Sequence, residues 1–242
     1  MTYIILSAGR GSKLQPLTLN HPKSLYKLDD KTTILQRLVR MIRKFDLEAE
    51  IVVVVGYMYK RILSELEDDN VTFVHNPFYS VTSSMGSLWF AKNFLQRENV
   101  TIINGDIVAS DLLFEEIICQ HVDYPYVLLD STRKNENKYN IQVQKEKVCV
   151  MSKNLTDYLG NYASVTKLDA LSSRFLLEQL GQMVNDEMYN LFYEDALVQM
   201  IFENNFELYY KDIKGYKWAE VDCVDDLLLA KQIQQESIRL MK

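Results

Sequence analysis

The apolar run Tyr3-Ile4-Ile5-Leu6 passes through Ser7-Ala8 into Gly9-Arg10-Gly11-Ser12-Lys13, the composition of a strand that ends in a phosphate-cradling loop. Glycine lets a backbone turn sharply and approach an oxyanion, the N–H groups of such a turn point at the anion, and Arg10 and Lys13 neutralise it. Two glycines after a strand also serve φ/ψ needs alone, so this window by itself leaves both readings open. Its spacing is not that of a Walker A loop, because no Gly-Lys-Ser/Thr follows four residues after a glycine. A second candidate is Asp106, which follows Gly105 at the carboxyl tip of a buried strand over residues 100–104. A metal ligand suits that place, and so does ordinary Gly-Asp turn chemistry. A third is the stretch Trp218-Ala219-Glu220-Val221-Asp222, where strand alternation puts Glu220 and Asp222 on one face.

With Pro16-Leu17-Thr18 and Pro22-Lys23-Ser24-Leu25, the start of the chain reads L-S-A-G-x-G-S-x-L-x-P-L-T-x-x-x-P-K-S-L. It resembles the N-terminal signature of the sugar-phosphate and phosphocholine nucleotidyltransferases. The resemblance implies that Leu6, Ser7, Ala8, Gly9, Arg10, Gly11, Ser12 and Lys13 wrap the triphosphate and meet the base of a nucleoside triphosphate. It implies that Lys23 contacts phosphate at the reacting centre, with Arg10 and Lys13 beside it as catalytic cations. Gly105 and Asp106 fall in the nucleotide site, and Asp106 and Asp222 become the ligands of a catalytic Mg²⁺. The loop Asn76-Pro77-Phe78-Tyr79 leading to Ser87-Leu88-Trp89 looks like the phosphocholine cytidylyltransferase branch, which often has asparagine where Ser84 stands near the base. Ser83 and Ser84 equally suit helix capping. Phe192-Tyr193-Glu194-Asp195 resembles the aromatic and acidic segment that lines the acceptor site in relatives, and a plain amphipathic helix accounts for it too. Tyr139, Tyr193, Glu194, Asp195 and Glu220 are the acceptor-binding set this implies.

Composition agrees with one globular unit over residues 1–242: 48% hydrophobic and 25% charged residues suffice for a single large α/β domain. A net charge of −6 argues against a nucleic-acid partner, so local cations must serve an anionic substrate. Cys119, Cys149 and Cys223 are odd in number and widely spaced, which disfavours a disulfide framework or a zinc site and fits a reducing cytoplasm. Cys223, among Asp222, Asp225 and Asp226, reads as a packed cysteine rather than a nucleophile. Neither a signal peptide nor a membrane span is expected. The three histidines lack metal-ligand spacing, and His121 reads as a solvated helix end.

The elements that must position these residues follow from periodicity. A helix is predicted over 33–42, a strand over 51–55, a helix over 57–66 and a strand over 71–75. That alternation predicts a Rossmann-like, mostly parallel sheet with helices on both faces, whose ligands sit at the strand carboxyl ends. The family resemblance makes this a GT-A-like nucleotidyltransferase fold. A surface helix is predicted over 115–121 and a strand over 126–130. The polar stretch 131–160, with Lys and Asn alternating over 134–140 and short strands near 139–144 and 147–152, reads as a small antiparallel excursion forming the acceptor site. Residues 161–168 receive no assignment. Helices over 169–183 and 191–204, a strand over 206–211, then strand and helix to Met241, complete the chain, with Asp225 and Asp226 suiting the helix start.

The reaction implied is in-line attack by an ionised phosphate oxygen of an acceptor on the α-phosphorus of a nucleoside triphosphate, with pyrophosphate leaving. Such a nucleophile needs no activating base, in keeping with a sequence that offers no Ser/His/Asp or Cys/His arrangement. The expected donor is CTP. The expected acceptor is a small phosphomonoester or phosphonate with a cationic end, such as phosphocholine or an aminoalkyl phosphonate. The alternatives are a hexose-1-phosphate nucleotidyltransferase using UTP or dTTP in cell-surface polysaccharide synthesis, and a nucleotide-binding regulatory protein without turnover. A homodimer is compatible with this reading.

Overall fold

The computed structural model describes residues 1–135 and 138–240, with no account of the Leu240 side chain; the part of the 134–140 stretch at 136–137, and Met241, lie outside the described residues. In chain order the strands are β1 Thr2–Ser7, β2 Glu50–Val55, β3 Thr72–His75, β4 Asn99–Asn104, β5 Ile107–Ala109, β6 Tyr126–Asp130, β7 Asn140–Gln144, β8 Lys147–Ser152, β9 Gly160–Asp169, β10 Tyr209–Asp212 and β11 Trp218–Glu220. The helices are α1 Ile34–Phe45, α2 Tyr59–Glu65, α3 Ser84–Phe90, α4 Asp111–Leu113, α5 Ala170–Asn185, α6 Tyr193–Asn204 and α7 Val224–Leu240. No helix among the described residues is long and apolar enough to cross a membrane.

Nine strands form one sheet in the order β3-β2-β1-β4-β9-β6-β10-β8-β7, and β11 pairs with β5 in a separate ribbon. The run β3-β2-β1-β4 is parallel, as the strand and helix alternation predicts, and β6 and β10 are parallel to each other. Antiparallel pairing reaches further than an excursion over 131–160. The unassigned residues form β9, a ten-residue strand inserted antiparallel between β4 and β6. Helices cover both faces. Leu35, Leu38 and Ile42 of α1 pack on Tyr3, Ile5, Ile51 and Val53, while Met85, Leu88, Leu176, Leu180 and Leu197 of α3, α5 and α6 pack on Ile4, Val54, Val100 and Ile102.

The predicted surface helix over 115–121 is corrected: α4 runs into a π-helical turn at Phe114–Ile118, and Phe114, Ile117 and Ile118 are core residues. Lys167, fully buried on β9, donates to the carbonyl oxygens of Ile117 (2.9 Å), Ile118 (2.6 Å) and Gln120 (2.6 Å), satisfying the end of that turn. Cys223 is exposed, not packed, whereas Cys119 is buried, and all three cysteines are free.

A third apolar cluster builds the site. Leu14 of the first loop, Val108 of β5, Ala219 of β11, Val221, and Ala230 and Ile233 of α7 are buried together. Each full burial of a Val or Leu side chain contributes roughly 1.5–3 kcal/mol, so the first loop is anchored to the β5–β11 ribbon by its own leucine.

Gly160 marks a close backbone approach between β9 and β6. A Cβ placed there would lie 2.3 Å from the Asp130 carbonyl oxygen, against backbone that cannot turn aside. Gly160→Ala is therefore expected to lower unfolding free energy by about 2 kcal/mol or more, read from urea denaturation. A loss below about 0.5 kcal/mol would show that β9 does not approach β6 so closely.

Candidate active site

Three strand tips meet at one end of the sheet. β1 and β4 run parallel with Leu6 beside Asn104, and the Gly105 N–H donates to the Leu6 carbonyl at 2.9 Å. A Cβ on Gly105 would stand 2.9 Å from Ser7 Cβ, so only glycine allows this approach. The antiparallel β5–β11 register sets Glu220 opposite Ile107, and the Val221 N–H donates to the Asp106 carbonyl at 3.0 Å. Asp106 precedes one strand of the ribbon and Asp222 follows the other, so their side chains face a common point.

At that point sits the Lys23 ammonium. It forms ion pairs with Asp106 Oδ2 and, at 3.0 Å, with Asp222 Oδ1. One ammonium touching both places the two carboxylates within about 6 Å of each other, twice a hydrogen-bond length. Lys13 adds a 2.8 Å contact to Asp222 Oδ2, and Lys138 pairs with both Asp222 and Glu220. Burial alone would lower the Lys23 pKa, but Asp106 and Asp222 outweigh it and raise it. Burial raises the Asp106 carboxyl despite Lys23, whereas at Asp222 the burial effect is overcome by Lys23 and Lys138, which hold it well below the carboxylate range. Asp106 Oδ1 is enclosed and has no hydrogen-bond partner among the described residues. An orphaned carboxylate oxygen beside a second carboxylate is a hard-oxygen donor pair that fits Mg²⁺, which takes one or two protein carboxylates and completes its shell with water and phosphate. No cluster of three or more His, Cys, Asp or Glu suited to a metal occurs among the described residues.

The first loop stands over this cluster. Gly11 has φ +66°, and a Cβ there would meet Lys23 Cβ at 3.0 Å, so the glycine lets Lys23 lie under the loop. Ser7 Oγ donates to Ser24 Oγ at 2.8 Å, tying the Lys23 turn to β1. Among the described residues the N–H groups of Gly9, Arg10 and Gly11 have no acceptor, the arrangement of an anion nest. Ser12 opens the short turn Ser12–Leu14. Ala8 is buried, and its carbonyl accepts from the Tyr57 N–H at 2.9 Å. Arg10 does not join the ion cluster; its guanidinium lies 5.7 Å from the centre of the Tyr79 ring.

Beside the cluster opens a cleft of about 120 Å³ whose walls include Lys13, Lys138, Tyr139, Lys153, Tyr162, Ser164, Phe192, Glu194, Glu220 and Asp222. Glu220 accepts from Ser164 Oγ at 2.6 Å. Tyr139 and Phe192 meet edge to face at 5.9 Å, and the Lys153 ammonium lies 3.7 Å from the Phe192 ring centre and 5.1 Å from that of Tyr139. Glu194 is 4% exposed. Its carboxyl is pushed up to about 8, by burial first and by Asp195 and Glu220 with it, against Lys153.

Three expected residues lie elsewhere. Tyr193 is fully buried, its hydroxyl bonded to Tyr162 and Thr166, because the first turn of α6 aims it into the core. Asp195 caps α6, accepting from the Phe192 N–H at 2.9 Å, and its other oxygen accepts from the Tyr139 hydroxyl at 2.9 Å, so it supports the wall without forming it. Ser84, expected at the base, accepts from the Tyr193 N–H at 3.0 Å and approaches Glu194 at 3.5 Å, which assigns it to the α3–α6 junction. Lys138, Lys153, Tyr162 and Ser164 were not expected in the site, and Phe192 was named in the acceptor-like segment without being put in the acceptor-binding set. Only Phe192 carried a local signal: at the N-cap of α6 it stays outside the helix while its neighbour turns inward.

Two predictions follow from this geometry. Glu194 binds its proton more tightly folded than unfolded, so its contribution to stability is complete below pH 4.5 and is lost as the pH rises through about 8. Glu194→Gln should match the parent near pH 4.5 and exceed it by up to roughly 5 kcal/mol at pH 9, as read from urea midpoints; equal stability at both pH values would contradict a carboxyl that holds its proton through burial. A Cβ on Gly9 meets nothing within 4 Å. Gly9→Ala should therefore keep the melting temperature and weaken nucleoside triphosphate binding about tenfold or more, since the methyl occupies the face of the nest.

Comparison with known proteins agrees with this architecture. The chain is 28% identical over 144 residues, 59% of its length, to the bifunctional protein GlmU of Methanocaldococcus jannaschii, and spans about a third (33%) of that relative. It is 30% identical over 106 residues to choline-phosphate cytidylyltransferase of Streptococcus pneumoniae, 44% of each chain. Among solved structures, the Streptococcus pneumoniae CTP:phosphocholine cytidylyltransferase superposes with a TM-score of 0.78 at 20% identity, covering 96% of this chain and 98% of the other. The Thermotoga maritima (T. maritima) inositol-1-phosphate CTP transferase gives 0.76 at 15% identity, covering 97% and 96%. These two likenesses establish the mixed α/β fold. The profile of the MobA-like NTP transferase domain matches residues 3–178, most of the chain and all of the first loop, Lys23 and Asp106; the chain belongs to that nucleotidyltransferase family.

Proposed function

We propose that the chain transfers CMP from CTP to a small phosphorylated or phosphonate acceptor with a cationic end, with Mg²⁺ on Asp106 and Asp222, releasing pyrophosphate. The observation that carries the reading is the Asp106–Lys23–Asp222 cluster, set between an anion nest on one side and an aromatic, acidic cleft on the other. The nest N–H groups and Lys13 hold the triphosphate. Lys23, paired with Asp106 and Asp222, would leave them to the bound cation and turn its ammonium to the phosphate that gathers charge in the transition state. A bound Mg²⁺ supplies charge neutralisation at the reacting phosphates. The acceptor's phosphate is ionised at neutral pH and is its own nucleophile, so the chain's remaining task is orientation.

The cationic end is supported by the cleft itself. Tyr139 and Phe192 already hold an ammonium, that of Lys153, and each such contact contributes about 0.5–2 kcal/mol. Glu194 and Glu220 add acidic groups to the same walls. CTP as donor is supported by the cytidylyltransferases among the similar proteins.

Pyrophosphate release with four nucleoside triphosphates against phosphocholine, an aminoalkyl phosphonate and glucose 1-phosphate tests the assignment. CTP with a cationic acceptor should lead the panel. Equal turnover of UTP and CTP would contradict the donor, and preference for glucose 1-phosphate would contradict the acceptor. Asp106→Asn and Asp222→Asn keep shape and remove charge; each should keep the parent's circular dichroism spectrum at a cost in stability and lose about 10²–10³ or more in kcat. Retained turnover in either variant would remove that carboxylate from the reaction.

A further inference from the structure

Lys138 reaches the ion cluster from the acceptor side, from the segment that leads into β7, whereas Lys13 and Lys23 reach it from the nucleotide side. The two oxygens of Asp222 are not equivalent to the orphaned oxygen of Asp106. Oδ1 is held by Lys23, and Oδ2 by Lys13 and Lys138 together. A divalent cation arriving at Asp222 therefore meets ammonium groups already seated on its ligand, and like charges so close repel strongly. Lys138 is the bridging one on that side, since it also neutralises Glu220, which Lys13 and Lys23 do not touch. Displaced from the carboxylates, its ammonium would remain in the wall of the cleft it already lines. The anion such a cleft receives is the acceptor's phosphate.

We infer that Lys138 is a resident counter-ion of Asp222 and Glu220 that the nucleotide-borne cation displaces, after which it binds the acceptor's phosphate, so that nucleotide binding primes acceptor binding. This rests on the nucleotidyltransferase reading above. It assigns a role to a residue the chemistry does not otherwise use. Coupling of this kind is reciprocal, so bound acceptor also tightens the nucleotide site.

The test uses Mn²⁺ alone as the probe, titrated calorimetrically into the full chain, together with steady-state kinetics on CTP and phosphocholine. Lys138→Met should bind Mn²⁺ about five- to tenfold more tightly than the parent, because a competing charge is gone. The same variant should raise the phosphocholine KM about tenfold or more and lower the CTP KM, because the nucleotide-borne cation no longer has that ammonium to displace. Lys138→Arg, which keeps the charge, should bind Mn²⁺ as the parent does. Unchanged or weaker Mn²⁺ binding in Lys138→Met, with CTP turnover present in the parent, would overturn the inference and leave the reaction standing. An absence of both Mn²⁺ binding and turnover of any nucleoside triphosphate in the parent would overturn the reaction and the inference together.

Discussion

The carboxylate of Asp222 accepts contacts from three ammonium groups carried by three separate stretches: Lys13 in the first loop, Lys23 in the following turn and Lys138 ahead of β7. With Asp106 and Glu220 it forms a cluster of three carboxylates and three lysines that is electrically balanced. Balance matters because the site is half enclosed, and an uncompensated charge there costs several kcal/mol. Remove one partner and the others are left facing like charge. The cluster thus holds the first loop, the strand tips and the cleft wall in one arrangement, and its cations are those that the proposed triphosphate and phosphorylated acceptor would require.

Apolar packing makes this concentration of charge tolerable. Leu14 is buried with Val108 and Ala219 of the β5–β11 ribbon and with Val221, so the loop bearing Lys13 and the strand bearing Glu220 are fixed by burial before any charge is counted. Close backbone approaches do the rest. Gly105 brings β4 against β1, and Gly11 admits Lys23 below the loop, each at a position where a side chain would collide. The polar groups are then aimed by short constraints, such as the Ser7–Ser24 hydrogen bond and the amide of Val221 on the Asp106 carbonyl. A pocket built this way is rigid beneath the first loop. It is more adaptable where Lys138 and Lys153 supply cations on flexible stems.

Much of the first loop and its surroundings was legible because it is local in sequence. Strand, glycine loop and Pro22-Lys23 lie within 25 residues, and the buried runs of β2 and β4 advertise themselves by β-branched residues. β9 was not legible, since Asn161, Ser164, Thr166 and Lys167 break the apolar pattern; each is buried, and each has a partner distant in sequence: Asn140, Glu220, Tyr193 and the Ile118 carbonyl in turn. The turn at Phe114–Ile118 reads as a surface helix from its two glutamates, yet three of its five residues face the core. Tyr193 and Phe192 show the limit within the site: adjacent aromatics at a helix start point in opposite directions, and only the helix boundary decides which one meets a ligand. Lys138 and Lys153 are single lysines in polar stretches, made significant by carboxylates and rings that come from elsewhere in the chain.

The central claim is that Asp106 and Asp222 form a single cation site beneath the first loop. The most direct measurement is the anomalous scattering of Mn²⁺ in crystals of the protein grown with a non-hydrolysable CTP analogue. The account predicts one strong peak bounded by both carboxylates, with Lys23 moved off them onto phosphate. A peak that touches only one of the two aspartates, or lies away from both with Lys23 still bridging them, would contradict it.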